Sequence, residues 1–454
     1  MKCIEDEIPF DLPDGWAWER IGNVSTIARG GSPRPIEDFL TDDADGINWI
    51  KIGDTEKDGK YILHTKEKIK PVGLSKTRYV RSGDFLLTNS MSFGRPYILK
   101  TDGCIHDGWL VIGNIDTVFN QDYLYYALSS GFMYTTLSLL AAGSTVKNLK
   151  SDTVRSVLFP IPPLGEQERM ARRIEQLITF VDDINANKNQ LIDIINQTKA
   201  KILDLAIRGQ LVPQDPADEP ASVLLERIRA EKEELIRKGK IKRDKKESII
   251  FRGEDNSYYL NDGQMTADIS DDLPFDIPDS WRWARLKDIL IINPRNKLDD
   301  TLEVAFIPMP LIDDGYSGKH SAKVRPWKEV KTGFTHFAEG DVGVAKITPC
   351  FENRKSTVFE NLSNGYGAGT TELHILRPYG KTILAKYLLA YVKSDYFVEN
   401  GKQAFTGAVG QQRIGKEYVE GAYFPIPPIK EQERIVQQIN TAFECLNTIT
   451  DALS

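Results

Sequence analysis

The sequence contains few cysteines and few histidines. The four cysteines, at positions 3, 104, 350 and 445, are too dispersed for a zinc-site spacing or a disulfide framework. Scattered thiols are typical of a reducing compartment, so we expect a cytoplasmic protein. The five histidines never fall at the i, i+4 spacing that places two metal ligands on one helix. These absences argue against a secreted disulfide scaffold and against a histidine-bound metal site.

Long apolar runs are missing as well. No run approaches the length that spans a bilayer, and the acidic segment 1–7 lacks the apolar core of a signal peptide. Hydrophobic residues make up 41% and charged residues 27%, the composition of an ordinary soluble protein. A chain of 454 residues can hold two or more domains. The formal net charge of −7 means that any polyanion must meet local basic surface.

Motifs for bond-making chemistry are absent too. The sequence has no phosphate-binding P-loop, no Gly-x-Gly-x-x-Gly after a strand and no Gly-x-Ser-x-Gly turn. A nuclease-like metal site could combine Asp279, Glu329 and Lys331. The first half of the chain has no equivalent trio, because His64 stands at the position that corresponds to Glu329, although Lys66 corresponds to Lys331. We therefore predict a protein that is not an enzyme and carries no metal or cofactor of its own.

An internal repeat is the main positive feature. Two motifs, a Trp-x-Trp pair and a Phe-Pro-Ile-Pro-Pro segment that leads into Glu-Gln-Glu-Arg, each occur twice at an offset of 265 residues, at Trp16–Trp18 and Trp281–Trp283 and at Phe159–Arg169 and Phe424–Arg434. We predict that the tryptophans anchor the core. The segments between the motifs share little sequence. Both segments mix short strand-like runs with a helical stretch, at Gln121–Leu140 and at Ala385–Asn400. We call the repeated motifs the frame and the segments between them the fillings. One frame thus occurs twice, with a different α/β filling each time.

Each Pro-Pro step should end a strand and open a helix. After the first copy, apolar residues from Met170 to Leu205 alternate in steps of four and three, with Lys188 and Thr198 at two of the positions, which is the heptad pattern of a helix that packs along another helix. A continuous helix from Gly165 to Arg208 would be roughly 66 Å long at about 1.5 Å per residue. The second copy repeats the apolar pattern from Ile435 to Leu453 and then stops. We expect the two helices to pair, with the shorter one covering part of the longer.

Polar loops provide the candidate binding residues. Short polar side chains, amides and arginines are the groups that contact phosphates and base edges, and the glycines of the segment Arg29–Pro35 would let the backbone approach a phosphate. The candidates in the first half are Arg29, Ser32, Arg34, Asn89, Ser90, Ser92, Arg95, Ser144, Thr145, Lys147 and Asn148. Those in the second half are Lys346, Arg354, Lys355, Thr370, Thr371, Gln411, Gln412 and Arg413. The alternative for each loop is a simple turn. The basic run 237–246 is either a solvated helix end or a phosphate or partner contact.

With these motifs, the chain resembles the specificity (S) subunits of type I restriction–modification systems. The resemblance rests on a variable domain, a Pro-Ile-Pro-Pro-Leu-x-Glu-Gln-Glu-Arg helix start, a long heptad helix, and a second domain and helix. The segment Leu205–Pro216, continuing to Leu224–Ile228, is similar to the central spacer of that family. The resemblance implies an α+β fold, with two mixed α/β target-recognition domains in a pseudo-twofold arrangement, separated by an antiparallel two-helix coiled coil.

The same resemblance implies a DNA-recognition subunit that binds an asymmetric bipartite target. The implied partners are double-stranded DNA, two modification subunits that methylate adenine with S-adenosylmethionine, and motor–nuclease restriction subunits, with ATP and Mg bound only by partners and no membrane involved. The corresponding domains are a first recognition domain, a long spacer helix, a linker with a charged helix, a second recognition domain and a short C-terminal helix, at residues 1–163, 164–210, 211–270, 271–428 and 429–454. The alternative is a non-catalytic two-domain coiled-coil adaptor that does not bind DNA sequence-specifically.

Overall fold

A computed structural model of the protein describes residues 4–56, 59–89, 93–140, 148–243, 247–408 and 410–453. The chain divides into two units, Met1–Asn185 (unit 1) and Ala186–Ser454 (unit 2). The finer domain boundaries inferred from the sequence stay predictions. Among the described residues, no helix combines the length and the apolar character needed to cross a bilayer.

Unit 1 contains twelve strands and four short helices, and a long fifth helix begins in it. In chain order these elements are β1 (Ala17–Arg20), α1 (Ile21–Val24), β2 (Thr26–Arg29), β3 (Leu40–Thr41), β4 (Ile47–Ile50), β5 (Tyr61–Ile62), β6 (Glu67–Ile69), β7 (Arg78–Val80), β8 (Phe85–Thr88), β9 (Pro96–Leu99), β10 (Gly103–Ile105), β11 (Trp109–Gly113), α2 (Gln121–Ser129), α3 (Gly131–Leu140), α4 (Ser151–Arg155), β12 (Leu158–Ile161) and α5 (Leu164–Ile207). These counts refer to the described part of the chain.

Two five-stranded sheets form the body of unit 1, in the orders β2-β11-β8-β9-β5 and β3-β6-β4-β10-β7. Successive side chains of a strand point to opposite faces. Phe85 and Leu87 of β8 therefore pack in the same core as Leu124 of α2, while Leu86 packs in the core that contains Ile105 of the other sheet. The first sheet is thus buried on both faces, which explains why its central strands are continuously apolar rather than alternating.

Unit 2 begins within α5 and adds fifteen strands and seven helices in the described residues. They are α6 (Ala221–Arg237), β13 (Ile249–Arg252), β14 (Tyr258–Asn261), β15 (Thr266–Asp268), β16 (Arg282–Arg285), α7 (Leu286–Ile289), β17 (Leu290–Ile292), β18 (Glu303–Ile307), β19 (Lys323–Pro326), α8 (Trp327–Val330), β20 (Thr335–Ala338), β21 (Val342–Ala345), β22 (Ser356–Val358), β23 (Tyr366–Gly369), β24 (Leu373–Pro378), α9 (Ala385–Val392), α10 (Asp395–Gln403), β25 (Phe405–Thr406), β26 (Arg413–Ile414), α11 (Lys416–Gly421), β27 (Tyr423–Ile426) and α12 (Ile429–Ala452).

The repeated motifs form the same strand pair in both units. Strand β1 pairs antiparallel with β12, with Ala17 opposite Ile161. Strand β16 pairs antiparallel with β27, with Arg282 opposite Ile426. Both members of the second pair lie 265 residues after their counterparts, since 282 − 17 = 265 and 426 − 161 = 265. The strand register therefore keeps the offset of the sequence repeat, and the frame is duplicated in three dimensions.

The fillings share a topology although they share little sequence. Unit 2 has the sheets β17-β24-β21-β22 and β19-β18-β23-β20, which repeat the orders β2-β11-β8-β9 and β6-β4-β10-β7 of unit 1. Each unit has a parallel pair at the same place, β4 with β10 and β18 with β23. Unit 2 adds a three-stranded sheet, β13-β14-β15, and the small hairpin β25–β26. Burial pattern and strand order, rather than residue identity, are what the two fillings have in common.

The buried glutamine of each Glu-Gln-Glu-Arg motif joins the frame to its filling. The Gln167 amide donates to the carbonyls of Pro162 (2.8 Å) and Val118 (2.9 Å), and its Oε1 accepts from the Asn120 N–H (2.8 Å). Gln432 likewise donates to the Pro427 carbonyl (3.1 Å) and accepts from the Leu384 N–H (2.9 Å). Asn120 and Leu384 are the N-caps of α2 and α9, so each glutamine fixes the start of the first helix of its filling.

Two predicted helices are each interrupted. The predicted helix Gln121–Leu140 is α2 and α3, which meet at Ser130, and the predicted helix Ala385–Asn400 is α9 followed by α10, which meet at Ser394. In both places the serine hydroxyl accepts a backbone N–H three residues later, from Met133 in unit 1 and from Phe397 in unit 2. A serine cap starts a new helix, which the apolar spacing alone does not reveal.

Within unit 2, the last turns of α5 pack antiparallel against α12. Leu203 and Ile207 share a core with Ile435 and Ile439. Lys199 donates to Asn447 (2.7 Å), whereas Asp218, farther along the chain, accepts from Arg434 (2.6 Å). The contacts thus move backward along α12 as the chain moves forward, which confirms the predicted antiparallel pair. The predicted helix 165–208 is also confirmed as α5, within one residue at each end.

Candidate nucleic-acid interface

Four of the predicted binding residues of unit 1 meet at one acidic residue, Asp107, two at its carboxylate and two at its backbone carbonyl. The Ser32 hydroxyl donates to Asp107 Oδ1 (2.9 Å), and the exposed Arg34 guanidinium lies 3.4 Å from Oδ2. Arg29 Nε (2.9 Å) and Asn89 Nδ2 (2.7 Å) both donate to the Asp107 carbonyl. We call these five residues the Asp107 cluster. Loops that are far apart in the sequence therefore present their polar groups at one place.

Strand pairing explains this convergence. Asp107 lies in the turn that enters β11, the strand that pairs with β2 on one side and with β8 on the other. Arg29 ends β2 and Asn89 directly follows β8, so both are brought to the same end of β11. The next candidate, Asn148, precedes Leu149, whose N–H donates to the Asn89 carbonyl (2.9 Å).

The Asp107 carboxylate is held in its charged form. Partial burial raises its pKa, but the hydrogen bond from Ser32 and the charges of His106 and Arg29 outweigh that effect, so the pKa lies below its ordinary value. Arg34 remains accessible, with 80% of its side chain exposed. The cluster can therefore offer the Arg34 guanidinium to a ligand beside a charged carboxylate, whereas Asn89 is fully buried and holds the Asp107 backbone in place.

The glycines of the segment 29–35 serve a different purpose from the one predicted. A Cβ on Gly30 would lie 2.2 Å from the His106 carbonyl oxygen, and one on Gly31 would lie 2.8 Å from that of Lys76. The two N–H groups donate to the carbonyls of Trp109 (2.9 Å) and Ile105 (3.2 Å). The expectation of a phosphate cradle is corrected here, because these glycines allow the loop to pack against its own sheet.

Unit 2 has a comparable cluster around Glu372. Arg413 Nε and Nη2 donate to the two carboxylate oxygens of Glu372 at 2.9 and 3.1 Å. The Lys346 N–H donates to the Glu372 carbonyl (3.0 Å), and Thr370 Oγ1 accepts from the Glu372 N–H (3.1 Å). The hydrogen bond from Arg413 is the main cause of the lowered pKa of Glu372. The Gln412 carbonyl accepts from the Thr348 N–H (2.9 Å), which joins the loop 411–413 to this Glu372 cluster.

The two clusters occupy corresponding places in the two units. Asp107 lies two residues before β11, and Glu372 lies one residue before β24, the equivalent strand. Sequence reasoning missed both carboxylates, because single acidic residues in an acidic chain give no signal. The detectable hint was their position, since each is the polar residue at the entry to a buried, continuously apolar strand.

The remaining candidates lie elsewhere or cannot be placed. Arg354 pairs with Asp395 and donates to the Lys393 carbonyl (3.0 Å), and Lys355 donates to the Ile312 carbonyl (2.9 Å). Both side chains are therefore engaged outside the Glu372 cluster. Arg95 lies in a groove with Tyr125 and Tyr134. Thr371 adjoins Glu372, and Gln411 is exposed in the loop between β25 and β26. Five candidates lie outside the described residues: Ser90, Ser92, Ser144, Thr145 and Lys147.

Metal and phosphate alternatives gain no support from the geometry. Asp279 pairs with Arg252, Glu329 with Arg325 and Lys331 with Asp300, so each member of the nuclease-like trio has its own partner. In the part of the chain that the structure describes, no group of three or more His, Cys, Asp or Glu side chains could hold a metal ion. The basic run is partly neutralised, because Arg237 and Lys238 pair with Glu234 and Arg243 pairs with Glu233.

Comparison with known proteins identifies the domain type. Residues 13–193 match the family model described as the type I restriction modification DNA specificity domain. Over this segment, the chain is similar to a type I DNA specificity domain. The type I restriction enzyme EcoAI specificity subunit of Escherichia coli is 47% identical over 243 residues, 53% of this chain and 38% of that protein. The EcoEI specificity subunit of the same species is 43% identical over 277 residues, 58% of this chain and 44% of that protein. The resemblance to specificity subunits is thereby confirmed, and the chain spans less than half the length of these two relatives.

Solved structures agree with the fold. The HsdS subunit from Thermoanaerobacter tengcongensis superposes with a TM-score of 0.56 at 17% identity, over 99% of this chain and 94% of that one. A chain from a structural study of complex assembly and conformational transition in the type I R-M system gives a TM-score of 0.59 at 17% identity, over 98% and 94%. The predicted class, two mixed α/β domains joined by a long helix, is confirmed.

Proposed function

We propose that this chain is the DNA sequence-recognition subunit of a type I restriction–modification complex. Each unit binds one half of an asymmetric bipartite target in double-stranded DNA. The observation that carries the proposal is the pair of clusters around Asp107 and Glu372. One topology places a carboxylate that contacts an arginine at equivalent strand ends, Asp107 with Arg34 and Glu372 with Arg413, and the surrounding polar side chains differ between the units. Equivalent placement suits two half-sites, and different donors suit two different sequences.

The proposed subunit performs no chemistry itself. Two modification subunits supply adenine methylation with S-adenosylmethionine, and restriction subunits supply the ATP- and Mg-dependent motor and nuclease. The proposal draws its support from the names of the EcoAI and EcoEI relatives and from the matched specificity domain. A cytoplasmic location follows from acting on cellular DNA and stays a prediction.

Methylation mapping tests the proposal directly. Long-read sequencing of cells that carry this chain and its modification partner should show methylated adenines in one split, asymmetric motif. Gel shifts with the modification subunit present should favour duplexes that contain the motif over scrambled duplexes of the same composition. Equal binding to both duplexes, together with no methylated motif, would favour the coiled-coil adaptor instead.

Helix length should set the gap between the half-sites. Deleting one heptad from α5 and one from α12 removes seven residues from each, a shortening of about 10 Å at about 1.5 Å per residue. At about 3.4 Å per base pair, we expect the spacer to shorten by about three base pairs while both half-sites stay the same. Seven residues are nearly two full turns, so the packed faces are largely preserved.

Methylation mapping of the shortened variant measures the spacer. The control keeps the length of both helices and replaces seven exposed positions with alanine, which should leave the spacer unchanged. A shortened variant that methylates altered half-sites with the original spacer would contradict the proposal that helix length sets the distance between the half-sites.

A further inference from the structure

The hairpin β25–β26 of unit 2 presents polar groups beside the Glu372 cluster. Phe405 pairs with Ile414 and Thr406 with Arg413, and Gly407 and Gly410 have positive φ angles of 108° and 84° in the connecting loop. Gln411 is exposed in this loop, and its N–H donates to the Ala408 carbonyl (3.0 Å). A two-stranded ribbon of this kind is one of the elements that the major groove of B-DNA admits.

Arg413, at the base of the hairpin, has Glu372 on its Nε–Nη2 edge and the Gln411 carbonyl at Nη1. Its guanidinium has five N–H groups. Glu372 accepts two of them, from Nε and Nη2, and the Gln411 carbonyl accepts one from Nη1 (2.9 Å). Counting contacts with the described residues, one N–H is left on each terminal nitrogen. The side chain is 41% exposed, so the remaining donors are open to a ligand.

We propose that the hairpin β25–β26 enters the major groove and that Arg413 reads a guanine there, with Glu372 as its positioning residue. The inference rests on the proposed DNA-recognition function and names a base contact for unit 2. Two N–H donors on the neighbouring nitrogens of a planar fork match the O6 and N7 acceptors of guanine, the commonest specific arginine contact. The carboxylate fixes the plane of the guanidinium before DNA binds, so less side-chain freedom is lost on binding.

The chemistry favours Arg413 over Glu372 as the reading group. Both carboxylate oxygens of Glu372 already accept from Arg413, and the lowered pKa keeps the carboxylate charged and committed to that pair. If Glu372 accepted a hydrogen bond from a cytosine amino group, it would have to give up a hydrogen bond from Arg413. The two possibilities differ in an experiment, because lysine at position 413 keeps the charge and removes the fork.

Selection from a pool of random duplexes, with the full chain and its modification subunit, tests the inference. Wild type should enrich a target with a fixed G·C pair in one half-site. Arg413→Lys should lose about 10- to 100-fold of the preference at that single position and keep the others. Glu372→Gln should weaken the same position by a smaller factor. Glu399→Gln, which removes the exposed pair with Lys402 on α10, is the matched control and should change nothing.

The outcomes separate the inference from the proposed function. A wild-type protein that enriches no sequence overturns both. A specific wild type whose guanine preference survives Arg413→Lys overturns the inference alone, and loss of that preference only in Glu372→Gln assigns the reading to the carboxylate and also overturns it. Circular dichroism and thermal melting of each variant, compared with Glu399→Gln, exclude a loss of preference caused by unfolding.

Discussion

Replacing Gln167 with leucine should lower the free energy of unfolding of unit 1 by about 3–5 kcal/mol. The leucine fills a similar volume but leaves the Asn120 N–H and the carbonyls of Val118 and Pro162 without their partner. Each buried polar group that loses its partner costs about 1–3 kcal/mol. The loss should appear as a lower midpoint in urea unfolding and as faster hydrogen exchange at the start of α2.

Two further variants calibrate this effect. Gln432→Leu removes two hydrogen bonds rather than three, so we expect a smaller loss, about 2–4 kcal/mol, located in unit 2. Gln437→Leu, one turn later on the exposed side of α12, should change stability by about 0.5 kcal/mol or less. If Gln167→Leu unfolded at the same urea concentration as the exposed control, the glutamine would not be the connection between the frame and the filling.

Replacing Arg377 with leucine should destabilise unit 2 by about 3–5 kcal/mol near neutral pH. Arg377 donates to both oxygens of Asp341, from Nε at 2.8 Å and from Nη2 at 2.7 Å, and only 2% of the Asp341 side chain is exposed. Removing one partner of a buried ion pair leaves an uncompensated charge. The pair lies at the far end of β21 and β24 from Lys346 and Glu372, so it also anchors the strands that carry the Glu372 cluster.

The pH dependence of this variant has a definite sign. Burial raises the pKa of Asp341 above its ordinary value even with Arg377 present, and removing the arginine raises that pKa further. A folded state with a raised acid pKa binds protons more tightly than the unfolded state, so its stability falls as pH rises through that pKa. The deficit of Arg377→Leu should therefore shrink as pH is lowered from 7 toward 5.

Thermal or urea unfolding at several pH values measures this deficit. Arg325→Leu, which removes the exposed pair with Glu329, is the control and should cost no more than about 1 kcal/mol at any of these pH values. A deficit of Arg377→Leu that stayed constant from pH 7 to pH 5 would show that lost packing, rather than the buried charge, is responsible.

Local signals in the sequence predict the repeated frame but not every break within the helices. The Pro-Pro steps, the heptad spacing of α5 and the constant offset of 265 residues predict the starts of the helices, the length of α5 and the duplication, because each depends on residues that are neighbours along the chain or copies of one another. The same signals miss the breaks at Ser130 and Ser394. A serine cap is a single side-chain contact, and the apolar spacing continues across it.

The sequence by itself determined the duplicated frame, the heptad helix and the set of polar loop residues from which a reading surface could be built. Only the tertiary structure decided which of them meet. Ser32 reaches Asp107 across 75 residues and Arg413 reaches Glu372 across 41, whereas Arg354 and Lys355 donate to the carbonyls of Lys393 and Ile312 instead of joining the Glu372 cluster. The physical reason is that strand pairing between distant segments, rather than spacing along the chain, sets which side chains share a strand end.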